Sequence, residues 1–493
     1  MMPGDESLKT GVARTLKWNV IDRAASQVLY AVTGIVLANL LPREDFGLVG
    51  AILVFQAFAS LFVDSGFSSA LIQASDPDEK DYSTVFWFNL LMAVGLYAVL
   101  FFVAPLLPAL FKAPWEIVPL ARVMFLSFII NAAAIVQANR LMKRMDVKMI
   151  AVSNSIGLVV SAGVGIGLAV MGYGAWAIVW QTITLAIVKT FILWVTGHWW
   201  PMLIISLHSL GKFFKVGSGV MISSFLNTVF QNIYSFFIGN QVGMTALGYY
   251  TQADKWSKMP TASLSQVLTA SFLPALSRVR PEPDRFMAAL AKMSRCTAYL
   301  LFPAMTLLIV MAEPIFHLLF GTKWDGAIVL FRILCLRGIF TVLQSLYNNY
   351  ILAVGEARLL VITEIMRDVA AVVAIIITLP YIGLSTDADV TLGIAIFLWG
   401  QLAASVITWA VTLYLTSRVT SRTVVSYIAD LIPYMILSAL AVVPAWLAGR
   451  MDMSPAFTIA LQGVTAMGIY MGICAIAGSK IQKDALDYIM RRA

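Results

Sequence analysis

The chain has 493 residues, of which 60% are hydrophobic and only 12% are charged. Soluble globular proteins are typically about 45–50% apolar and about 25% charged. Together with a mean hydropathy of +0.84, this composition excludes a soluble enzyme, a disordered chain, a coiled coil and a secreted disulfide scaffold, and it makes the lipid bilayer the main solvent. The net charge of +8 is typical of membrane proteins with basic cytoplasmic loops, so it does not indicate nucleic-acid binding.

The sequence predicts about fourteen membrane spans. A spanning helix needs about 20 mostly apolar residues, and charge clusters, glycines and prolines divide the chain into fourteen such stretches. Their limits are 15–41, 46–73, 83–109, 117–141, 149–171, 174–196, 214–240, 245–275, 291–319, 326–353, 358–383, 391–416, 428–448 and 455–478. The first stretch is long and carries Asp22 and Arg23, so we interpret it as a span rather than a cleavable signal peptide. The connecting segments are short and leave no room for a soluble domain.

The distribution of Lys and Arg predicts the orientation. If the N-terminus is cytoplasmic, about 22 Lys and Arg lie in the cytoplasmic segments and about four in the opposite ones, and this bias sets the topology. An even number of spans then places both termini in the cytoplasm.

A weak internal repeat relates the first six spans to the next six. At a shift of about 200 residues, Phe46-Gly47 falls on Leu247-Gly248, and an even number of spans between the copies makes them run in the same direction. We therefore predict an all-α integral membrane protein with two pseudo-symmetric six-helix lobes and two additional C-terminal helices. Its parts are an N-terminal lobe at 1–196, an interfacial amphipathic connector at 197–213, a C-terminal lobe at 214–416, and two spans with a cytoplasmic tail at 417–493.

Polar side chains recur at helical spacing within several spans. A charge in the middle of a bilayer costs about 2.5–3.5 kcal/mol on insertion scales, so such residues usually face a protein interior or a watery cavity. The cavity-lining candidates are Asn19, Arg23, Gln27, Gln56, Asn227, Gln231, Gln252, Gln344 and Asn348. The simplest geometry is two bundles that face each other across a hydrated central cavity. Pairing at the membrane interface remains an alternative for Asp22 and Arg23, and pairing within one helical turn remains one for Glu364, Arg367 and Asp368.

Four cations lie within the predicted spans, and we interpret them as an anion site: Lys255, Lys258, Arg332 and Arg337. Lys255 and Lys258 lie roughly 15–20 Å from the outer turn at about 1.5 Å per residue, and Asp254 neutralises at most one of them. Arg binds phosphate through a planar fork and Lys acts as a point charge, while Asn, Gln, Ser and Tyr suit sugar hydroxyls. The pattern predicts a phosphorylated, hydroxyl-rich head group as the substrate.

Several short motifs resemble those of bacterial polysaccharide transporters. They are the stretches at 41–49 (LPREDFGLV), 62–67 (FVDSGF), 86–89 (FWFN), 172–177 (GYGAWA), 247–250 (LGYY) and 320–324 (FGTKW). The resemblance extends over most of the chain. It is strongest to the Wzx-type, WzxC-like exporters of the MOP superfamily, which also holds MATE drug exporters and the lipid II flippase MurJ.

The resemblance implies two six-helix lobes around a central cavity, in a MATE-like fold, plus two C-terminal helices. It implies that the chain moves an undecaprenyl-pyrophosphate-linked oligosaccharide from the cytoplasmic to the periplasmic leaflet of the bacterial inner membrane by alternating access, for polysaccharide biosynthesis. Coupling to a proton or sodium gradient is common in the superfamily, and no other cofactor and no metal are expected.

Within that scheme the four cations attract the pyrophosphate and the polar cavity residues accept the sugars. Asp22 and Asp64 are the candidate ion-coupling carboxylates, since a carboxylate releases its proton when its neighbourhood changes. The lipid tail stays in the bilayer beside the last two spans. Expected partners are a glycan polymerase and a chain-length regulator, and a monomer is expected because one chain supplies both lobes. The glycan composition and the coupling ion stay open.

Two competing classes are less consistent with the sequence. A membrane polymerase, ligase or glycosyltransferase for lipid-linked glycans needs an acid, a base or a metal site in a sizeable outer loop, and no metal-ligand cluster, GxSxG or phosphate-binding glycine-rich loop is present. An ion-coupled exporter of drugs or cations is expected to have a cavity dominated by carboxylates, whereas the predicted cavity is cationic.

Overall fold

The computed structural model describes residues 3–64, 67, 70–71, 77–144, 146–385, 390–451 and 453–484, without the side chains at 3–17, 19–21, 62–64, 212, 214–223 and 226. Every regular element in these ranges is helical. The α-helices are α1 (Pro3–Leu40), α2 (Arg43–Asp64), α3 (Glu79–Val103), α4 (Leu107–Phe111), α5 (Ile117–Lys143), α6 (Val147–Val170), α7 (Trp176–Gly197), α8 (Leu207–Gln241), α9 (Met244–Val279), α10 (Pro283–Val310), α11 (Ala312–Phe320), α12 (Asp325–Val354), α13 (Ala357–Thr378), α14 (Leu392–Thr420), α15 (Val424–Ala448) and α16 (Pro455–Ile476). Three short 3₁₀ segments lie at Ala104–Leu106, Thr322–Trp324 and Leu379–Leu384.

The all-helical membrane fold predicted from the sequence is confirmed. Each predicted span overlaps a helix of the structure, and the ninth continues from α10 into α11. The end of the second span, at 65–73, lies largely outside the described residues. Within the described ranges, ten helical segments are long and apolar enough to cross a membrane. Helices α1, α8, α9 and α13 are not among these ten, so the count of fourteen spans stays a prediction.

The chain forms two compact units, Met1–Gly248 and Tyr249–Ala493. In the N-terminal unit, α6 packs against α1 and α7, and α5 packs against α3 and α7. In the C-terminal unit, α9, α10, α12, α14 and α15 share a core that is rich in aromatic rings. Tyr347, Tyr350 and Tyr427 lie at its centre and are fully buried.

The beginnings of α2 and α9 make a reciprocal contact inside the N-terminal unit. A Cβ atom on Gly47 would lie 1.9 Å from the carbonyl oxygen of Met244, and one on Gly248 would lie 2.1 Å from the carbonyl oxygen of Arg43. The Thr245 hydroxyl also donates to Glu44 at 2.9 Å, across a separation of 201 residues. The segments that the sequence repeat pairs at this shift therefore touch each other, and both glycines are required by close backbone approach.

The predicted connector between the lobes begins with a non-helical segment at 198–206, the strap. Residues 198–206 leave the helical conformation, and α8 starts only at Leu207. The strap is hydrogen-bonded to α3: the Trp87 indole donates to the Met202 carbonyl at 2.7 Å, and the Ser83 hydroxyl accepts from the Met202 amide at 3.0 Å. Leu203 is 88% exposed, so the strap presents apolar side chains outward, as a segment at the membrane interface is expected to do.

Candidate functional site

Two of the four predicted pyrophosphate-binding cations contact one carboxylate in the C-terminal unit, and a third is the next residue in the chain. On α9, the Lys258 ammonium lies 2.5 Å from a carboxylate oxygen of Asp254, one helical turn away. From α12, the Arg337 guanidinium lies 3.5 Å from the other oxygen of Asp254. Lys255 follows Asp254 directly, and its ammonium lies 5.6 Å from the centre of the Trp256 ring.

This cluster carries more positive than negative charge. Lys258 and Arg337 against Asp254 leave a net charge of about +1 when all are ionised, and Lys255 next in the chain adds a further cation to this region. The Nε of Arg337 is buried and has no hydrogen-bond partner in the part of the chain that the structure describes. An anion with several oxygen acceptors would satisfy this donor and offset the excess charge, and such charge-assisted hydrogen bonds are among the stronger ones in proteins.

Close helix packing and a buried amide fix the cluster in place. A Cβ on Gly338 would lie 2.6 Å from the Thr261 hydroxyl, so α12 approaches α9 one residue after Arg337. Gln252 is buried, and its side-chain oxygen accepts a hydrogen bond from the Trp256 indole at 3.1 Å. Gln252, a predicted sugar-binding residue, therefore positions the ring beside Lys255 in this structure.

Arg332 lies apart from the other three cations. Its guanidinium is 3.5 Å from Glu313 of α11, and its Nε donates to the Ile309 carbonyl at 3.2 Å. Arg332 and Glu313 line a cavity of about 630 Å³ whose other lining residues come from the ends of α10, α11, α15 and α16. The structure therefore assigns Arg332 to a second polar region. Glu313 was not predicted as a partner of Arg332, because it lies on a different helix.

Asp22, a predicted ion-coupling carboxylate, lies in a polar cluster of the N-terminal unit. One of its oxygens accepts hydrogen bonds from Asn154 at 3.1 Å and from Ser26 at 3.3 Å, and Asn154 also bonds to Ser26 at 2.9 Å. Asn154 lies on α6 between Ser153 and Ser155 and was not among the predicted site residues.

The remaining predicted residues are dispersed. Gln56 donates to the Ser127 hydroxyl at 3.2 Å between α2 and α5. Gln231 donates to Asn227 at 3.1 Å along the exposed side of α8. Arg23 is exposed, Gln27 and Gln344 are half-buried, and the side-chain oxygen of Asn348 is buried without a partner among the described residues. The side chains of Asn19 and Asp64 lie outside the described part of the chain.

A further charged cluster was not expected from the sequence. Asp430 of α15 is only 4% exposed and bridges Arg295 at 2.6 Å and Arg422 at 2.5 Å. Its span, predicted at 428–448, carries no other charged residue. Because these bonds join α10, the turn before α15 and α15 itself, the cluster holds one end of the C-terminal unit together.

Among the described residues, no group of three His, Cys, Asp or Glu side chains is placed to hold a metal ion. Cys296, Cys335 and Cys474 form no disulfide bond in this structure.

Solved structures with the same fold define the class of protein. A lipid II flippase MurJ in an inward closed conformation matches with a TM-score of 0.70 at 15% identity, covering 93% of this chain and 98% of that one. An inward-facing multidrug resistance MATE family transporter of the MOP superfamily matches with a TM-score of 0.59 at 16% identity, covering 80% and 94%. The chain is therefore a multi-pass membrane protein with the MurJ and MATE fold.

Sequence comparison places the chain within that class. Residues 36–329 match the family described as polysaccharide biosynthesis protein, which is more than half of the chain, so the chain belongs to this family. It is 27% identical to the succinoglycan biosynthesis transport protein ExoT of Rhizobium meliloti (strain 1021), over 74% of each chain. It is 26% identical to the teichuronic acid biosynthesis protein TuaB of Bacillus subtilis (strain 168), over 70% and 71%. It is 23% identical to the lipopolysaccharide biosynthesis protein WzxC of Escherichia coli (strain K12), over 68% of each. The predicted family is confirmed.

Proposed function

We propose that the protein moves lipid-linked oligosaccharides, carried on undecaprenyl pyrophosphate, from the cytoplasmic to the periplasmic leaflet by alternating access. Membership in the polysaccharide biosynthesis family supports the substrate class. The single observation that carries the proposal is the excess of cations around Asp254, because a pyrophosphate group supplies the negative charge that this cluster lacks.

Asp254 keeps the empty site stable. It compensates Lys258 and Arg337 while no substrate is bound, since unpaired charges in a low-dielectric environment are costly. When pyrophosphate arrives, its oxygens accept from Lys255 and from the unpartnered Nε of Arg337. Asp254 thereby limits the affinity, so the anion can leave on the other side of the membrane.

The Asp22 cluster is the proposed coupling site. A carboxylate that accepts from Asn154 and Ser26 changes its proton affinity when either of these partners moves. A proton or sodium ion bound here would link the ion gradient to rearrangement of the N-terminal unit. Asp64 is retained as the second candidate carboxylate.

The setting of the proposed activity is the bacterial inner membrane, with both termini in the cytoplasm, as the distribution of Lys and Arg predicts. The protein acts as a monomeric transporter, without catalysis and without a cofactor other than the coupling ion. A glycan polymerase and a chain-length regulator would receive its product.

Depletion of the protein in its host tests the proposal. Lipid-linked oligosaccharides are extracted, and their accessibility in each leaflet is measured with a reagent that does not cross the membrane. Intact repeat units that accumulate on the cytoplasmic face are the expected result, and their mass identifies the cargo. Single units that reach the periplasmic face without lengthening would instead indicate a polymerase. Unchanged lipid pools with altered drug sensitivity would indicate a drug exporter.

A further inference from the structure

The cavity that contains Arg332 is a polar chamber within the C-terminal unit. It lies where α10 and α15 end and where α12 and α16 begin. Its volume of about 630 Å³ falls within the range of about 300–1,000 Å³ that is usual for small-ligand pockets. The predicted topology places this end of the unit on the periplasmic side.

Two guanidinium groups line this chamber. Arg450 lies over the Trp446 ring, with 3.9 Å between the guanidinium carbon and the ring centre. Arg332 is fixed by the Ile309 carbonyl and lies 3.5 Å from Glu313, which is longer than a hydrogen bond. Glu313 offsets one of the two positive charges, so the described lining retains a cation suited to a carboxylate or a phosphate.

A buried amide adds a second, independent feature. Gln462 lines the same chamber and is only 3% exposed, yet its side-chain oxygen has no hydrogen-bond partner among the described residues. A buried polar atom without a partner is unfavourable, and a hydroxyl donor in the chamber would satisfy it. His317 also lines the chamber, and its Nε2 is held by Asp325 at 2.8 Å.

We propose that this chamber binds an acidic sugar residue. The acidic group lies between Arg450 and Arg332, and the sugar hydroxyls bond to the Gln462 amide and the Glu313 carboxylate. A simple anion does not account for the buried amide, and a neutral sugar leaves the positive charge that Glu313 does not offset without a partner. None of the residues around Asp254 lines the chamber, so it is a separate subsite that receives part of the glycan near the periplasmic face.

The class of ligand inferred for the chamber rests on the proposed function, but the binding experiment that tests it requires no transport. The full-length protein is purified in lipid nanodiscs, and saturation-transfer NMR measures the binding of D-glucuronate, D-glucose and inorganic phosphate. We expect glucuronate to bind more tightly than glucose. Arg450→Gln should weaken glucuronate binding about tenfold and leave glucose binding almost unchanged, whereas Gln462→Met should weaken the binding of both sugars.

Arg418→Gln is the matched control, because Arg418 also lies over an aromatic ring four residues earlier, at 5.1 Å from Tyr414, but does not line the chamber. Thermal unfolding of each variant verifies that it is folded. Equal glucuronate binding by the wild type and Arg450→Gln would overturn the proposal. Binding of phosphate without glucuronate would overturn it too and would assign the chamber to a phosphate ligand. If glucuronate binds here but depletion leaves the lipid pools unchanged, the subsite stands and the proposed transport fails.

Discussion

Replacement of Gly47 by Ala tests the reciprocal contact between α2 and α9. The new Cβ would lie 1.9 Å from the Met244 carbonyl oxygen and 2.6 Å from its carbonyl carbon. Both atoms belong to the backbone, so a change of rotamer does not relieve the clash, and the helices must separate by about 1 Å. Overpacking of this kind typically costs about 1–3 kcal/mol, although Ala by itself favours a helix by about 0.5–1 kcal/mol relative to Gly.

Thermal unfolding of the purified protein in nanodiscs measures this effect. Gly95→Ala on α3 is the matched control, since nothing lies within 4 Å of its new Cβ, and its unfolding midpoint should stay equal or rise. Gly47→Ala should lower the midpoint, and Gly248→Ala should do the same. The double variant should be destabilised by less than the sum of the two single variants, because one separation of the helices accommodates both methyl groups. An unfolding midpoint for Gly47→Ala at or above that of Gly95→Ala would refute the close approach.

Two further substitutions probe the ends of the units. Asp430→Asn removes the negative charge that compensates Arg295 and Arg422, and loss of one member of a buried ion pair typically costs about 3–5 kcal/mol. Because Arg295 is half-exposed, we expect a destabilisation in the lower part of that range, measured by thermal unfolding. An unchanged unfolding midpoint would contradict the role of the cluster. Trp87→Phe removes the indole that donates to the Met202 carbonyl, at a cost of about 0.5–1.5 kcal/mol. Limited proteolysis should then cut the strap at 198–206 faster than in the wild type. Equal cleavage rates would show that this hydrogen bond does not hold the strap against α3.

The helical membrane fold was predictable because hydrophobic stretches of spanning length are visible without any tertiary information. The repeat at a shift of 201 residues was also visible, but only as a weak match of Phe46-Gly47 with Leu247-Gly248. The structure supplies the physical reason for the repeat, since Gly47 and Gly248 each pack directly against the backbone of the other segment. A sequence shows a glycine but not which carbonyl approaches it.

The candidate site was predictable in part, for a similar reason. The relation of Asp254 to Lys258 follows from helical spacing, and the excess charge near Lys255 could be counted. The partners of Arg332 and Asp22 could not be predicted, because Glu313 and Asn154 lie on other helices. Periodicity indicates which face of a helix is polar, but only the packing shows which polar faces meet.

The proposed function requires the cations around Asp254 to bind the pyrophosphate group during transport. Its most direct test is transport of lipid-linked oligosaccharides, extracted from the host, by the protein reconstituted into liposomes. Arg337→Gln is compared with Arg278→Gln, a matched substitution near the end of the same α9 helix that bears Asp254. We expect the wild type and the Arg278→Gln variant to transport the oligosaccharides. The Arg337→Gln variant should be folded but should have lost transport. Equal transport by all three would contradict this requirement.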